Sequence, residues 1–376
     1  MNDRGSRRPL GLARGVLALI LVFLAGEVAL RAYQKIVHQV PFFSFLPGYH
    51  EKTFRLSPFL VFGPRTDWQI PNKPHPETAY FNAQGFRTHD VLGPKPPGQL
   101  RIVALGGSST EDIWNDAGIH WPLVAEQTLH EAGRDDVRIY NGAMSAYTSA
   151  HSLVRLEMDV LQYQPDVVLV AHDINDLLVV YYAASLGRPV DASYKVKYDR
   201  KSLTSVIDDS DVVISRLFAL IRGRLERAPP PAPAPALEHY DLETGRRIFE
   251  RNLRSMVAVA RAQGTEVVFV TMPVARSKER FDDATALARG GLLDALPSHD
   301  RFLADFDRYN ETVRALGKEL GVNVIDAASL VAPDDRYFED IVHTTTEGVL
   351  AMGRAVGGKL LEILRPRKDG SADAPR

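Results

Sequence analysis

The chain contains no cysteine, and this absence excludes several kinds of chemistry at once. A protein without thiols has no disulfide framework, no thiolate metal site, no cysteine nucleophile and no lipid-modified cysteine. The chain also lacks an excess of one charge, since its 376 residues carry a net charge of −2 and no long basic run. That balance argues against a nucleic-acid partner. The hydrophobic share of 45% is typical of a folded globular protein.

Familiar phosphate-binding and nucleophile motifs are also missing from the glycine-rich stretch VALGGSST at 103–110. A P-loop needs a lysine, and a dinucleotide-binding turn needs a third glycine. The nucleophile elbow of α/β-hydrolases needs glycine where Thr110 stands. No H-E-x-x-H motif occurs, so we expect neither a metal nor a cofactor. What remains is a Gly-Gly turn that places Ser108 at the start of a helix, as an N-cap or as a nucleophile.

A long apolar run lies near the N-terminus, at 15–25, and four arginines precede it: Arg4, Arg7, Arg8 and Arg14. A basic flank before an apolar run indicates a targeting segment whose N-terminus stays in the cytoplasm, and it argues against a buried core helix. The run is shorter than the roughly 20 residues of a comfortable span. Because no clean A-x-A cleavage site follows, we predict an uncleaved signal anchor over 1–35, with a cleaved signal peptide as the alternative. The remaining chain would face the periplasm from the cytoplasmic membrane.

The rest of the chain divides by pattern. Residues 36–99 are rich in proline and aromatics without helical period, and we predict an irregular linker that packs on the following domain. From 100 to 366, apolar strands alternate with helical segments; the strands are predicted at 101–105, 137–140, 166–171, 265–273 and 322–328. This alternation predicts a three-layer α/β/α sandwich around a mostly parallel five-stranded sheet. Residues 367–376 are predicted to be a disordered tail.

An insertion at about 177–240 interrupts this alternation. It contains an amphipathic helix candidate at 203–226 and a proline-rich spacer at 228–236. We expect the helix to belong to the core, while a lid or a membrane-facing surface are the alternatives. The spacer is expected to be an exposed loop.

Polar clusters follow four of the predicted strands, at 106–110, 141–147, 172–176 and 340–343. In parallel sheets, ligands bind beyond the carboxyl ends of the strands. A serine becomes a strong nucleophile when a histidine takes its proton and a carboxylate holds that histidine in the right tautomer. Asp340 and His343 are three residues apart and can meet within one turn, which leaves the second ring nitrogen for Ser108. Asp-x-x-His alone also suits metal sites, but these need further ligands.

Taken together, the four clusters resemble the SGNH/GDSL hydrolase superfamily, in the membrane-anchored bacterial form whose first block reads Gly-Gly-Ser. The matching positions are Ser108, the block Asn141 to Thr148, the block Asp173 to Asp176, and the pair Asp340 and His343. The segment NAQGFR at 82–87 is similar to one upstream of the first block in such members. The resemblance implies a flavodoxin-like fold, a Ser108–His343–Asp340 triad without a cofactor, and an oxyanion hole built from Ser108, Ala146 and Asn175.

The sequence departs from the superfamily pattern at three positions. Gly107 replaces the usual acid of the first block, and Asp173 replaces a glycine of the third. Ala146 stands where a glycine normally offers its N–H to the oxyanion. Alanine keeps that N–H, so the hole survives if the backbone there suits a residue with a Cβ.

The resembled chemistry is acyl transfer to water. We expect a serine esterase that removes short acyl groups, acetyl above all, from a cell-envelope carbohydrate or lipid. The partners would be an acylated small molecule or glycan, and the membrane through the N-terminal segment. Two alternatives stay open: an O-acyltransferase that modifies a polysaccharide with the same triad, and an inactive glycan-binding domain.

Overall fold

The computed structural model describes residues 8–38, 42–43, 54–57, 59–70, 73–191, 215–225, 236–289 and 296–364. The chain divides into two compact units. One unit comprises 1–55 with 205–233, and the other comprises 56–204 with 234–376. The predicted tail at 367–376 and the spacer at 228–235 lie outside the described residues.

Four short strands precede the main sheet: β1 (Phe54–Ser57), β2 (Val61–Pro64), β3 (Trp68–Gln69) and β4 (Tyr80–Phe81). Strands β3 and β4 pair in antiparallel fashion. The linker was expected to be irregular and to pack on the domain surface, yet Phe81, Phe86 and Arg87 are fully buried. These side chains of the segment therefore belong to the larger unit's interior.

Five further strands form one wholly parallel sheet in the order β6-β5-β7-β8-β9. They are β5 (Leu100–Gly106), β6 (Val137–Asn141), β7 (Val167–Ala171), β8 (Glu266–Val270) and β9 (Asn323–Ile325). Central strands β5 and β7 are continuous apolar runs and are buried along their length, as expected for a sheet covered on both faces. The predicted parallel α/β/α architecture is confirmed.

Helices of the larger unit cover this sheet. They are α2 (Ser108–Glu111), α3 (Trp121–Glu131), α4 (Ser149–Arg155), α5 (Ile174–Ser185), α7 (Leu242–Ala262), α8 (Lys278–Arg289), α9 (His299–Leu320), α10 (Ala327–Leu330) and α11 (Thr346–Ile363). The helix predicted over 148–162 is α4 followed by a π turn at 156–160 and a 3₁₀ turn at 161–163. Short 3₁₀ geometry also occurs at 335–337.

The register of the strands places the polar clusters that follow β5, β6 and β7 at one edge of the sheet. Gly106 at the end of β5 lies level with Ala171 at the end of β7, and Ala104 lies level with Asn141 at the end of β6. The polar clusters that follow β5 and β7 therefore start level with each other, and the cluster after β6 starts two residues lower at the same edge. This edge is where a doubly wound sheet binds its ligands.

The smaller unit holds helices α1 (Arg8–His38) and α6 (Arg216–Leu225). Among the described residues, one helix is long and apolar enough to cross a membrane: Ala13–Val37 of α1, with mean hydropathy 2.1. By length and composition it fits a signal anchor or a single span. We expected α6 to belong to the core. It does not, because Phe218 and Ile221 are exposed.

Glu27 interrupts the apolar run of α1, and the structure gives this carboxylate a defined role. Its oxygens accept the backbone N–H of Arg216 at 2.9 Å and that of Leu217 at 2.7 Å. These are first-turn amides of α6, which have no partner within their own helix. Gly26 lets the Leu217 side chain approach α1 closely, because an added Cβ would lie 2.9 Å from Leu217 Cδ2. Glu27 thus caps α6.

Gly353 on α11 offers a test of how closely the helices pack. An added Cβ there would lie 2.9 Å from the carbonyl oxygen of Trp121 on α3. Gly353→Ala should therefore lower the free energy of unfolding by about 1–3 kcal/mol, the usual cost of overpacking. Gly358 on the same helix has open space around it, so Gly358→Ala should raise stability by roughly 0.5–1 kcal/mol. Urea titration of both variants measures this; equal effects would contradict the close α3–α11 contact.

Candidate active site

Ser108 is placed by two glycines at the end of β5. An added Cβ on Gly106 would lie 2.7 Å from the carbonyl oxygen of Ala171, and one on Gly107 would lie 2.5 Å from Asn175 Nδ2. The chain therefore turns in space that side chains would fill. Gly107 is the N-cap of α2, and Ser108 is its first helical residue. The N-cap interpretation of Ser108 is thus wrong, and its hydroxyl is available for other contacts.

One chain of hydrogen bonds joins Ser108, His343 and Asp340. His343 Nε2 lies 2.8 Å from Ser108 Oγ, and His343 Nδ1 lies 2.6 Å from Asp340 Oδ2. The second oxygen of Asp340 accepts the backbone N–H groups of Val342 and His343, both at 2.8 Å. With its carboxylate fixed in this way, Asp340 orients the imidazole toward the serine. Ser109 Oγ, by contrast, is buried and has no hydrogen-bond partner in the described part of the chain.

Asp340 and His343 shift each other's pKa in the direction that favours their charged forms. Burial by itself would raise the pKa of Asp340, but the hydrogen bond and charge of His343 outweigh it and hold that pKa below its ordinary value. Burial would likewise lower the pKa of His343, yet Asp340 overrides it and raises that pKa. An imidazolium is therefore stabilised where proton transfer from Ser108 would create it.

Ala146 and Asn175 lie on the segments that follow β6 and β7, at the same sheet edge. Ala146 adopts a left-handed backbone with φ of +64°, a conformation that costs an L-residue with a Cβ about 1–2 kcal/mol. Asn175 is buried in the first turn of α5, and its amide nitrogen occupies the space beside Gly107. The missing side chain at Gly107 thus lets Asn175 reach the neighbour of Ser108.

The two buried acids of the third block, Asp173 and Asp176, hold the ends of helices in place. Asp173 caps α5 by accepting the N–H of Ile174, and burial raises its pKa to about 8. Asp176 accepts the backbone N–H of Ser149 at 2.9 Å and so ties α5 to the start of α4. His172 Nε2 lies 2.7 Å from Ser152 Oγ. His172 is therefore engaged in a hydrogen bond away from the triad, as a pocket-wall residue would be.

Sequence reasoning missed the carboxylates directly after Ser108. Glu111 is fully buried and accepts the backbone N–H of Ser145 at 2.7 Å, which fixes the loop that carries Ala146. Burial raises the Glu111 pKa to about 7. Asp112 accepts Thr344 Oγ1 at 3.0 Å, next to His343. Their signal was only their position after the serine, within a helix of four residues.

Arg87 connects the NAQGFR segment to this network. Its buried guanidinium donates to the carbonyl oxygens of Glu111 and, at 2.5 Å, of Gly118. Burial lowers the Arg87 pKa to about 10, so the group stays charged at neutral pH. The segment is therefore tied to the residues that follow the first block. No group of three or more metal-ligating side chains occurs among the residues that the structure describes.

The sequence matches one family model. Residues 104–350 match the GDSL-like lipase/acylhydrolase family. No curated protein matches the chain. Among solved structures, it is similar to a lipase/acylhydrolase from Enterococcus faecalis, with 17% identity, a TM-score of 0.42, and coverage of 72% of this chain and 99% of the other. It is also similar to a catalytic mutant of an acetylxylan esterase from Geobacillus stearothermophilus, with 15% identity, a TM-score of 0.41, and coverage of 72% and 97%.

The burial of Asp173 at the start of α5 can be tested through the pH dependence of stability. Its pKa rises from 3.8 to about 8 on folding. The folded state therefore holds a proton that the unfolded state releases, so stability falls as pH rises from about 4 to about 8. Asp173→Asn keeps the cap and carries no charge, and should remove up to roughly 1.4 kcal/mol per pH unit of that fall. Urea titrations at pH 4, 6 and 8 measure the slope; exposed Asp135→Asn is the control, and an unchanged slope in Asp173→Asn would contradict burial of this acid.

Proposed function

This chain belongs to the GDSL-like lipase/acylhydrolase family and is an ester hydrolase; from that premise we propose that it is a serine esterase that removes short acyl groups from a cell-envelope carbohydrate or lipid. The observation that carries the proposal is the hydrogen-bonded chain from Asp340 through His343 to Ser108, with distances of 2.6 and 2.8 Å. It supplies a nucleophile, a base within reach of its proton, and a carboxylate that fixes the base.

The proposed reaction has two halves. Ser108 Oγ attacks the ester carbonyl while His343 takes the hydroxyl proton, and the imidazolium is stabilised by Asp340. The tetrahedral intermediate collapses, and His343 gives its proton to the leaving alcohol. Water then attacks the acyl-serine with His343 as base again, which releases the carboxylic acid and restores Ser108. An acceptor hydroxyl in place of water would make the same site an acyltransferase.

Three donors would stabilise the oxyanion. They are the backbone N–H groups of Ser108 and Ala146 and the side-chain amide of Asn175. The support for this assignment is the left-handed turn at Ala146 and the amide of Asn175 beside Gly107. A single such donor typically contributes about 10²–10³-fold in rate.

The proposed location follows from α1. Its apolar segment Ala13–Val37 would hold the protein in the cytoplasmic membrane, with Arg4, Arg7, Arg8 and Arg14 kept inside. The larger unit would then act on envelope material outside. A reporter fused after residue 376 would show directly on which side of the membrane the larger unit lies.

Alanine variants test the triad. Ser108→Ala, His343→Ala and Asp340→Asn should each lower kcat/KM on a short activated acetate ester by at least about 10³-fold, because each removes part of the proton relay. Ser109→Ala is the matched control and should have a small effect. Labelling with a fluorophosphonate should be lost in Ser108→Ala and retained in Ser109→Ala. Loss of activity in Ser109→Ala with retention in Ser108→Ala would assign the nucleophile to the wrong serine, and unlabelled native protein would favour a glycan-binding domain.

Ala146→Gly tests acyl-chain selectivity. The methyl group of Ala146 would take space near the carbonyl under attack, and one methylene is worth about 1–3 kcal/mol in a tight pocket. The native protein should therefore prefer acetyl over butyryl and octanoyl esters, and the glycine variant should relax that preference. It should also gain stability, because glycine adopts positive φ without strain. A native preference for octanoyl esters in the kcat/KM series would place Ala146 elsewhere.

A further inference from the structure

The loop between α2 and α3 presents an exposed tryptophan at the active site. Trp114 is 43% exposed, and its ring centroid lies 5.6 Å from that of His343 at an angle of 52°. A half-exposed indole leaves one large apolar surface in water. The proposed catalytic steps use neither this surface nor the loop that carries it.

Hydrogen bonds on both sides hold this loop in place. The buried Asn115 side chain donates to the carbonyl oxygens of Asp112 at 2.6 Å and Ile119 at 2.7 Å. The Lys73 ammonium donates to the carbonyl oxygens of Trp114, at 3.4 Å, and Asn115. The indole is therefore presented by a fixed backbone, and a ligand that stacks on it need not order the loop first.

The position of Trp114 relative to His343 decides which half of an ester it would meet. In the proposed reaction His343 Nε2 hands its proton to the leaving alcohol oxygen, so the alcohol half lies beside the imidazole. Two of the three proposed oxyanion donors, the Ala146 N–H and the Asn175 amide, lie on the segments that follow β6 and β7. Because Trp114 contacts the imidazole, its exposed surface borders the alcohol half.

We infer that Trp114 forms a stacking platform for the alcohol half of the substrate, and that this alcohol is a neutral sugar ring; the inference rests on the proposed esterase function. A pyranose has a face of C–H groups that matches a flat indole, whereas an acyclic polyol has no such face. Trp114 is then the residue that selects ring-shaped over open-chain acylated alcohols.

Charges at the rim favour a neutral sugar over an acidic one. Asp116, two residues after Trp114, and Glu339, next to Asp340, are both exposed. Burial raises the Glu339 pKa, and the negative charge of Asp116 raises it further, so the two carboxylates act on each other. Lys73 is a neighbouring cation, and its charge remains while its ammonium donates to the loop carbonyls, but a single positive charge offsets only one of the two carboxylates. Carboxylates accept sugar hydroxyls and repel a uronate.

The first experiment compares two acetate esters in the detergent-solubilised full chain: a fully acetylated methyl pyranoside and glyceryl triacetate. The ratio of kcat/KM for the pyranoside to kcat/KM for glyceryl triacetate should fall about tenfold in Trp114→Ala, mainly because KM for the pyranoside rises. Trp114→Phe should keep most of the native ratio, because a flat ring remains. An equal loss on both esters in Trp114→Ala would overturn the platform and leave the esterase intact. Failure of the native protein on both esters would overturn the proposed function itself.

The second experiment tests the charge preference. The native protein should hydrolyse an acetylated methyl glucoside faster than the acetylated glucuronide with a free carboxylate, and added salt should narrow the gap. Asp116→Asn with Glu339→Gln should reduce the preference at least severalfold, and Asp135→Asn is the exposed-acid control. Equal native rates on the two sugars, or no change in the double variant, would overturn the neutral-sugar assignment.

Discussion

The site depends on the close approach of three chain segments at the end of β5, which only two missing side chains permit. Gly106 leaves room for the carbonyl of Ala171, and Gly107 leaves room for the amide of Asn175. Neither glycine has positive φ, so close packing rather than backbone freedom explains them. The usual acid of the family's first block would displace the Asn175 amide if it stood at 107 in this arrangement. Glycine at 107 is thus tied to the position of Asn175.

Buried charges beneath the triad hold its loops. Glu111 fixes the loop of Ala146, and Asp112 fixes Thr344 next to His343. Arg87 donates to the backbone carbonyls of Glu111 and Gly118. An unpaired charge in such a place would cost several kcal/mol. Here the carboxylates accept backbone or hydroxyl donors, and the raised pKa of Glu111, about 7, reflects its burial. The network fixes geometry where the strained φ of Ala146 has to be maintained.

Sequence reasoning recovered what local pattern encodes. Apolar runs predicted each of the five strands, because burial on both faces leaves a clear signal. The bounds of β5 differ from the prediction by one residue at each end, and those of β7 by one residue at the start. The pairing of Asp340 with His343 was predictable because both lie within one turn. Contacts between distant segments were not: Glu111 with Ser145, and Arg87 with Gly118, show no periodicity that marks them. The exposure of α6 was also missed, since an amphipathic pattern does not say what covers its apolar face.

The capping of α6 by Glu27 has a consequence for the order in which the protein is made. The two partners, Glu27 and Arg216, are 189 residues apart. During synthesis α1 leaves the ribosome long before α6 exists, and β5, β6 and β7 are complete in between. Contacts of such separation form late, since the long loop must close before they add stability. The smaller unit is therefore begun first and finished after three of the five parallel strands, and only then does Glu27 cap the first turn of α6.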